Sequence, residues 1–211
     1  MAGVEWCSKD YMQPLFNKIQ STFFNSTRLL TKRIVLWGVL CILSMGSALA
    51  QLNTDRITAI GRNALYFDDY VLSIQYFNQV IKLKPYLSEP YLLRAIAKIQ
   101  LGDYTGAELD CNAAIARNPF HPGGYYTRGF IYRQTDQLEK AERDFSEALI
   151  FAPENRTYIA MRADVLAEME QYDLALRDIN HLLHRDPQSA SLHFEKGSIC
   201  LRSHDTICAL D

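Results

Sequence analysis

The chain has 211 residues, 48% of them apolar, and its 22 lysines and arginines against 24 acidic residues leave a formal charge of −2. That is apolar material enough for one packed domain, which excludes a disordered tail. The near-neutral balance, with no block rich in lysine and arginine, excludes the electrostatic footprint of a nucleic-acid binder.

Residues 1–33 form a leader that becomes positively charged near its end, at Arg28, Lys32 and Arg33. Residues 34–50, IVLWGVLCILSMGSALA, carry no charge. A charged approach, an apolar middle and the small residues Ala48 and Ala50 make the pattern of an export signal, with cleavage expected before Gln51. The alternative is an uncleaved signal anchor, because the seventeen residues lie at the short end of what crosses about 30 Å of hydrocarbon. Met12 offers a second possible start, which shortens the leader. A buried core helix fits less well, since the segment has no polar face. Under both export readings the positive charges stay on the cytoplasmic side and everything after Gln51 is exported. The exported part then holds 17 of the basic and 22 of the acidic residues, a net charge of −5.

After the leader the sequence repeats. Proline stands at 85, 119, 153 and 187, each 34 residues after the last. This spacing gives four complete units, 54–87, 88–121, 122–155 and 156–189, and an incomplete fifth occupies 190–211. Small residues recur twelve apart within each unit: Gly61 and Ser73, Ala95 and Ala107, Gly129 and Ala141, Ala163 and Ala175, Gly197 and Ala209. Two helices that cross closely need small side chains where their backbones meet. Apolar residues at helical spacing flank these positions, with Tyr125, Phe130 and Tyr132 on the first helix of the third unit and Phe145, Ala148 and Leu149 on its second. Each proline ends a second helix, since it cannot continue the hydrogen-bond ladder and disfavours helix in the residue before it.

The stretches YLLRAIAKIQLGDYTGAELDCNAAIARNP (91–119) and YYTRGFIYRQTDQLEKAERDFSEALIFAP (125–153) carry this pattern most fully. It resembles the tetratricopeptide repeat, a 34-residue helix–turn–helix unit. The resemblance implies an all-α fold, a right-handed superhelical solenoid of antiparallel helix hairpins, preceded here by the N-terminal hydrophobic signal or anchor helix. Cys111 then takes the core position held elsewhere by Phe77, Phe145 and Ile179, which makes it a packing residue in preference to a reactive thiol.

Three charge pairs share one spacing. Arg94 and Asp110, Arg128 and Asp144, and Arg162 and Asp178 are each sixteen residues apart, first helix to second. A repeated pair points to a repeated structural bridge, a bidentate arginine–carboxylate contact pinning the two helices of each unit.

In the resembling family the first helices line a concave groove. Transferred position by position, the residues facing it are Thr58, Arg62, Leu65 and Tyr66; Leu92, Leu93, Ile96 and Gln100; Tyr126, Phe130, Arg133 and Gln134; Met161, Asp164 and Glu168; and Phe194, Ser198 and Arg202. The middle of this set is apolar and aromatic, which is the character of a contact surface. Family co-chaperones grip an acidic peptide through Lys, Asn and Arg residues whose counterparts here are Thr58, Arg62, Leu93, Gly123 and Thr127. Only Arg62 has suitable chemistry, so that carboxylate clamp is absent.

The expected function is protein or peptide binding by an exported scaffold, with the Gram-negative periplasm the compartment the resemblance implies. A structural subunit of a cell-envelope assembly, its groove permanently covered by neighbours or by self-association, is the alternative. Enzyme activity has no positive support: the sequence holds no phosphate-binding glycine loop, HExxH or nucleophile elbow. His181 and His184 have no third ligand nearby, and His193 takes a position usually aromatic, so neither a metal nor another cofactor is expected. Membrane contact is expected only through residues 34–50, if they are uncleaved. Cys200 and Cys208 on facing helices of the fifth unit could form a disulfide in an oxidising compartment. The break-off at Asp211 reads as a fragment of a longer repeat protein or as a frayed last unit.

Overall fold

The computed structural model describes residues 53–203. The chain divides into two units, 1–53 and 54–211, and the repeats belong to the second. The signal or anchor segment expected at 34–50 lies outside the described residues.

All regular structure among the described residues is helical. The helices are α1 (53–66), α2 (Tyr70–Leu83), α3 (Glu89–Gln100), α4 (Tyr104–Arg117), α5 (Pro122–Gln134), α6 (Leu138–Phe151), α7 (Arg156–Glu168), α8 (Tyr172–Arg185) and α9 (Ala190–Arg202). From α2 onward each helix packs against the next, and α3 also reaches α5. Contacts between chain neighbours in this order make the unit an all-α solenoid of helix hairpins.

Local chemistry sets the ends of the helices. Asp69 and Asp103 cap α2 and α4, accepting hydrogen bonds from the backbone of Leu72 at 3.1 Å and Gly106 at 2.9 Å. Asn155 caps α7 by accepting from Thr157 and Tyr158, while Pro90 and Pro122 occupy the first turns of α3 and α5. Within each hairpin the turn passes through one left-handed residue, Asp68, Gly102, Asp136 or Glu170, with φ between 58° and 76°. These four also stand 34 apart. The second helices end at Leu83, Arg117, Phe151 and Arg185, two residues before each repeated proline.

The crossings are built as the small residues require. Ser73, Ala95, Ala107, Ala141, Ala163 and Ala175 are all fully buried. A methyl group added at Gly129 would stand 3.0 Å from the Phe145 ring, and one at Gly61 would stand 2.8 Å from Phe77. Phe77, Cys111, Phe145 and Ile179 pack beside these crossings at 0% exposure. Ile131, at 1%, anchors the centre of α5, whereas Tyr125, Phe130 and Tyr132 are only half-buried. The aromatic residues dominate this stretch of sequence, but the aliphatic one between them points inward.

Ser73 is the odd member of the small set, because its buried hydroxyl has no hydrogen-bond partner. Replacing it with alanine, the residue at the four equivalent positions, should stabilise the protein by about 1 kcal/mol by removing an unsatisfied polar group. Urea denaturation measures this directly; an unchanged or lower midpoint for Ser73→Ala would show that the hydroxyl is satisfied in solution.

Candidate protein-binding groove

The repeated arginines hold the first helices in place. Arg94 donates to Asp110 from Nε at 2.8 Å and from Nη2 at 2.5 Å; Arg128 grips Asp144 at 2.7 and 2.8 Å, and Arg162 grips Asp178 at 2.8 and 2.7 Å. The third nitrogen of each guanidinium reaches backward. Nη1 donates to Asn78 at 2.5 Å, to Asn112 at 2.7 Å and to the Ser146 hydroxyl at 3.2 Å, respectively. Each arginine therefore joins three helices, those of its own hairpin and the second helix of the hairpin before it. Sequence reasoning finds the carboxylates and misses the second partners, although residues 78, 112 and 146 carry the same period of 34.

Contacts that skip one helix show that the first helices form a single face. Arg62 of α1 bonds Glu89 of α3. A Cβ at Gly123 of α5 would lie 3.3 Å from Leu92 of α3. Tyr126 of α5 stacks on Tyr158 of α7, ring centroids 4.8 Å apart. Arg202 of α9 donates to the Ala167 carbonyl of α7 at 2.7 Å. Arg62, Leu92, Tyr126 and Arg202 are all residues that the sequence assigns to the groove.

Along this face Leu92, Leu93, Ile96, Tyr126, Phe130 and Met161 are half-buried, which leaves a partly open apolar stripe. Tyr66 and Phe194, at its two ends, are each 80% exposed. Leu92 and Leu93 also line a cleft of about 380 Å³ with Glu89, Asn118 and His121. Two positions depart from expectation. Thr127, one of the clamp counterparts, is only 6% exposed and belongs to the core. Arg62, the one clamp counterpart with suitable chemistry, is already engaged by Glu89.

Arg133 is engaged as well. Its Nη1 lies 3.0 Å from Asp164 and its Nη2 2.6 Å from Glu168, both on α7, and Nη1 also meets the Met161 sulfur at 3.7 Å. Behind Asp164 stands Glu195 of α9, which sequence reasoning passes over in favour of its neighbour Phe194. Burial first, and then a hydrogen bond and charge repulsion from Asp164, push the Glu195 carboxyl up from 4.5 to about 7, against the opposing pull of Arg133 and Arg156. The folded protein thus holds a proton that the unfolded chain releases. Stability should therefore fall as pH rises from about 4.5 to about 7 and level off above, by the Glu195 contribution. Hydrogen exchange of α9 at pH 6 and pH 8 checks this: protection lower at pH 8, with the difference abolished in Glu195→Gln, is expected, and equal protection would contradict it.

The remaining candidates for chemistry are structural. Burial pushes the Cys111 thiol up to about 12, and it packs with Ala95, Ala107 and Ile131. Cys111 should resist iodoacetamide in the native protein at pH 8 and react once urea unfolds it; equal rates in the two states would contradict burial. His193 bonds the Pro187 carbonyl at 2.8 Å and His181 lies 3.5 Å from Glu154. No group of three or more metal-ligating side chains exists among the described residues. Cys200 is buried and disulfide-bonded, while Cys208, the partner expected for it, lies outside the described residues.

An all-α solenoid with its first helices gathered on one face defines a class of repeat protein. Two family models, both described as tetratricopeptide repeat, match residues 122–155 and 160–205 of this chain. A relative, Protein SGT1 homolog of Oryza sativa subsp. japonica, is 32% identical over 85 residues, 40% of this chain and 23% of that protein. The chain spans only 20–33% of the length of three curated relatives it matches. Among solved structures, MamA 41-end from Desulfovibrio magneticus RS-1 superposes with a TM-score of 0.68 at 18% identity, covering 74% of this chain and 89% of that one. The first TPR of Spaghetti (RPAP3) bound to the HSP90 peptide SRMEEVD gives 0.54 at 23% identity, covering 56% and 93%. At these identities the structural likenesses establish the fold alone.

Proposed function

We propose that the chain is a non-catalytic scaffold that holds a protein or peptide along the face of its first helices. The observation that carries this is the set of half-buried Leu92, Leu93, Ile96, Tyr126, Phe130 and Met161 on three successive first helices, with the exposed ring of Phe194 on the next. Apolar side chains left partly open on a face already fixed by salt bridges are ready to be covered without reordering the backbone. A peptide-bound tetratricopeptide structure among the neighbours supports peptide binding as a class. It does not extend to the acidic peptide in that structure, because Thr58, Leu93, Gly123 and Thr127 replace the clamp residues and Arg62 is paired.

Charge placed in the stripe tests the proposal. Ile96→Glu and Phe130→Glu should each abolish co-purification of the native partner while far-ultraviolet circular dichroism stays unchanged. Leu109→Glu, at an exposed site on the second helix α4, should have no effect. Retention of the partner by both groove variants would overturn the assignment.

The compartment we propose is extracytoplasmic, on the strength of the charged approach and the apolar run at 34–50. An alkaline phosphatase fused after Asn53 should be active in a bacterial host; an inactive, stable fusion would refute export. No helix among the described residues is long and apolar enough to cross a membrane.

One observation favours a second reading. Tyr66, Phe67 and Val71 form an exposed apolar end on the first hairpin, at 80%, 76% and 58% exposure. Built permanently into a cell-envelope assembly, such an end would be covered. The isolated protein would then self-associate, which sedimentation measures.

A further inference from the structure

The loops that join one hairpin to the next gather on one edge of the repeats. Arg117, at the end of α4, donates to the Pro85 carbonyl at 2.5 Å, and Arg185, at the end of α8, donates to the Glu154 carbonyl at 3.3 Å. Phe120 meets Phe151, at the end of α6, edge to face with ring centroids 6.0 Å apart, and Phe151 stacks on Tyr125 at 5.9 Å. The start of α1 belongs to this edge too, because Gly61 lies against Phe77 of α2, and α2 ends at Leu83 beside the first of these loops. The hairpin turns at Asp68, Gly102, Asp136 and Glu170 make the opposite edge.

The loop edge exposes side chains that the fold does not use. Tyr86 and Phe120, at equivalent positions of successive loops, are 68% and 74% exposed, and Leu83 and Ile150 at the neighbouring helix ends are open as well. Position 151 is arginine in the units on either side, and there Arg117 and Arg185 brace a loop carbonyl. Phe151 replaces that polar brace with a ring that extends the exposed patch.

We propose that this edge lies on a lipid surface, with Tyr86 and Phe120 seated among the headgroups. The proposal rests on residues 34–50 staying in the membrane, the uncleaved form of the export reading. Connectivity then selects the edge. α1 begins at residue 53, and the three residues after the uncharged run span at most about 10 Å, so an anchor there tethers the loop edge to the bilayer and not the hairpin turns. Chemistry selects lipid. Aromatic rings at headgroup depth, with lysines beside them reaching the phosphates, are the side chains of a membrane interface, and Lys82 and Lys84 stand just before Tyr86.

Charge separates the two edges in the same sense. The loop edge holds Lys82, Lys84, Arg117, Arg156 and Arg185, while its acids Glu89, Glu154 and Asp186 are each paired with an arginine. The turn edge holds Asp68, Asp69, Asp103, Asp136, Glu170 and Asp173. Anionic lipid attracts the first edge and repels the second. Tyr66, Phe67 and Val71 are also exposed at the turn edge, but Asp68 and Asp69 stand between them and keep that group off a lipid surface.

A photo-reactive amino acid at position 120 of the full chain, reconstituted in vesicles of phosphatidylcholine and phosphatidylglycerol, tests the proposal, with the same residue at position 136 as the control. Mass spectrometry should find phospholipid adducts on the peptide bearing position 120 and none on that bearing 136. Lys82→Glu combined with Tyr86→Glu should lower the adduct yield at 120 at least about five-fold while far-ultraviolet circular dichroism stays unchanged. No lipid adduct at 120, equal adducts at both positions, or crosslinks from 120 only to a second copy of the chain would each overturn the lipid contact. The intact mass of the protein from its native cell tests the anchoring separately. A mature chain lacking residues 1–50 would overturn anchor and lipid contact together, whereas a full-length chain without lipid adducts would overturn the contact alone.

Discussion

Replacing Arg128 with leucine should destabilise the protein by about 4 kcal/mol, the largest effect expected of any polar substitution here. The change strands Asp144, whose side chain is 6% exposed and faces that guanidinium through two hydrogen bonds. It also removes the donor to Asn112 and so loosens the seam between the second and third hairpins. The reciprocal change, Asp144→Leu, should cost less, about 3 kcal/mol, because the arginine it strands is one-fifth exposed and can turn to water. The double variant, with apolar side chains at both positions, should recover most of the loss. A buried ion pair is worth little against an apolar pair of similar volume, and its larger role is to fix which residues face each other. Urea denaturation of the four proteins measures the coupling; additive losses would show that the two residues act independently.

Phe145→Ala should cost about 4 kcal/mol, from lost apolar burial and the cavity left behind. Phe145 is fully buried where α5 crosses α6, against Ala141 and Val165, and its ring lies close to the bare backbone of Gly129. The same geometry predicts a compensating pair. Gly129→Ala alone should destabilise by forcing the ring aside, by about 1–2 kcal/mol, whereas in the Phe145→Ala background it should be neutral or stabilising because the added methyl enters the vacated space. A Gly129→Ala loss of equal size in both backgrounds would place its cause elsewhere, in the backbone and not in the ring.

These two sites show why the architecture is legible in the sequence. The crossing residues and the bridging charges are dictated by geometry repeated every 34 residues, so each copy reports on the others. What depends on a single copy is harder to read. Ile131 is hidden by its aromatic neighbours Phe130 and Tyr132, yet it is the side chain aimed at the core. Arg133 and Arg62 read as available cations in the groove, but the acids that occupy them lie 35 and 27 residues away, at spacings no periodic pattern selects. Glu195 escapes notice because its significance comes from Asp164 across a helix pair. The partners at Asn78, Asn112 and Ser146 are discoverable, since their period matches that of the arginines, but an amide or hydroxyl on an exposed or half-buried helix face reads as solvated until the arginine is placed beside it.

The function proposed for this protein turns on whether the face of the first helices receives a foreign chain. A photo-reactive amino acid at position 130, in full-length protein expressed in its native cell, tests this most directly, with the same residue at position 109 as the control. One discrete foreign partner should crosslink from 130, be absent from 109, and be lost when Tyr126 is changed to glutamate. Crosslinks from 130 only to further copies of this chain, or the same partners from both positions, would contradict it.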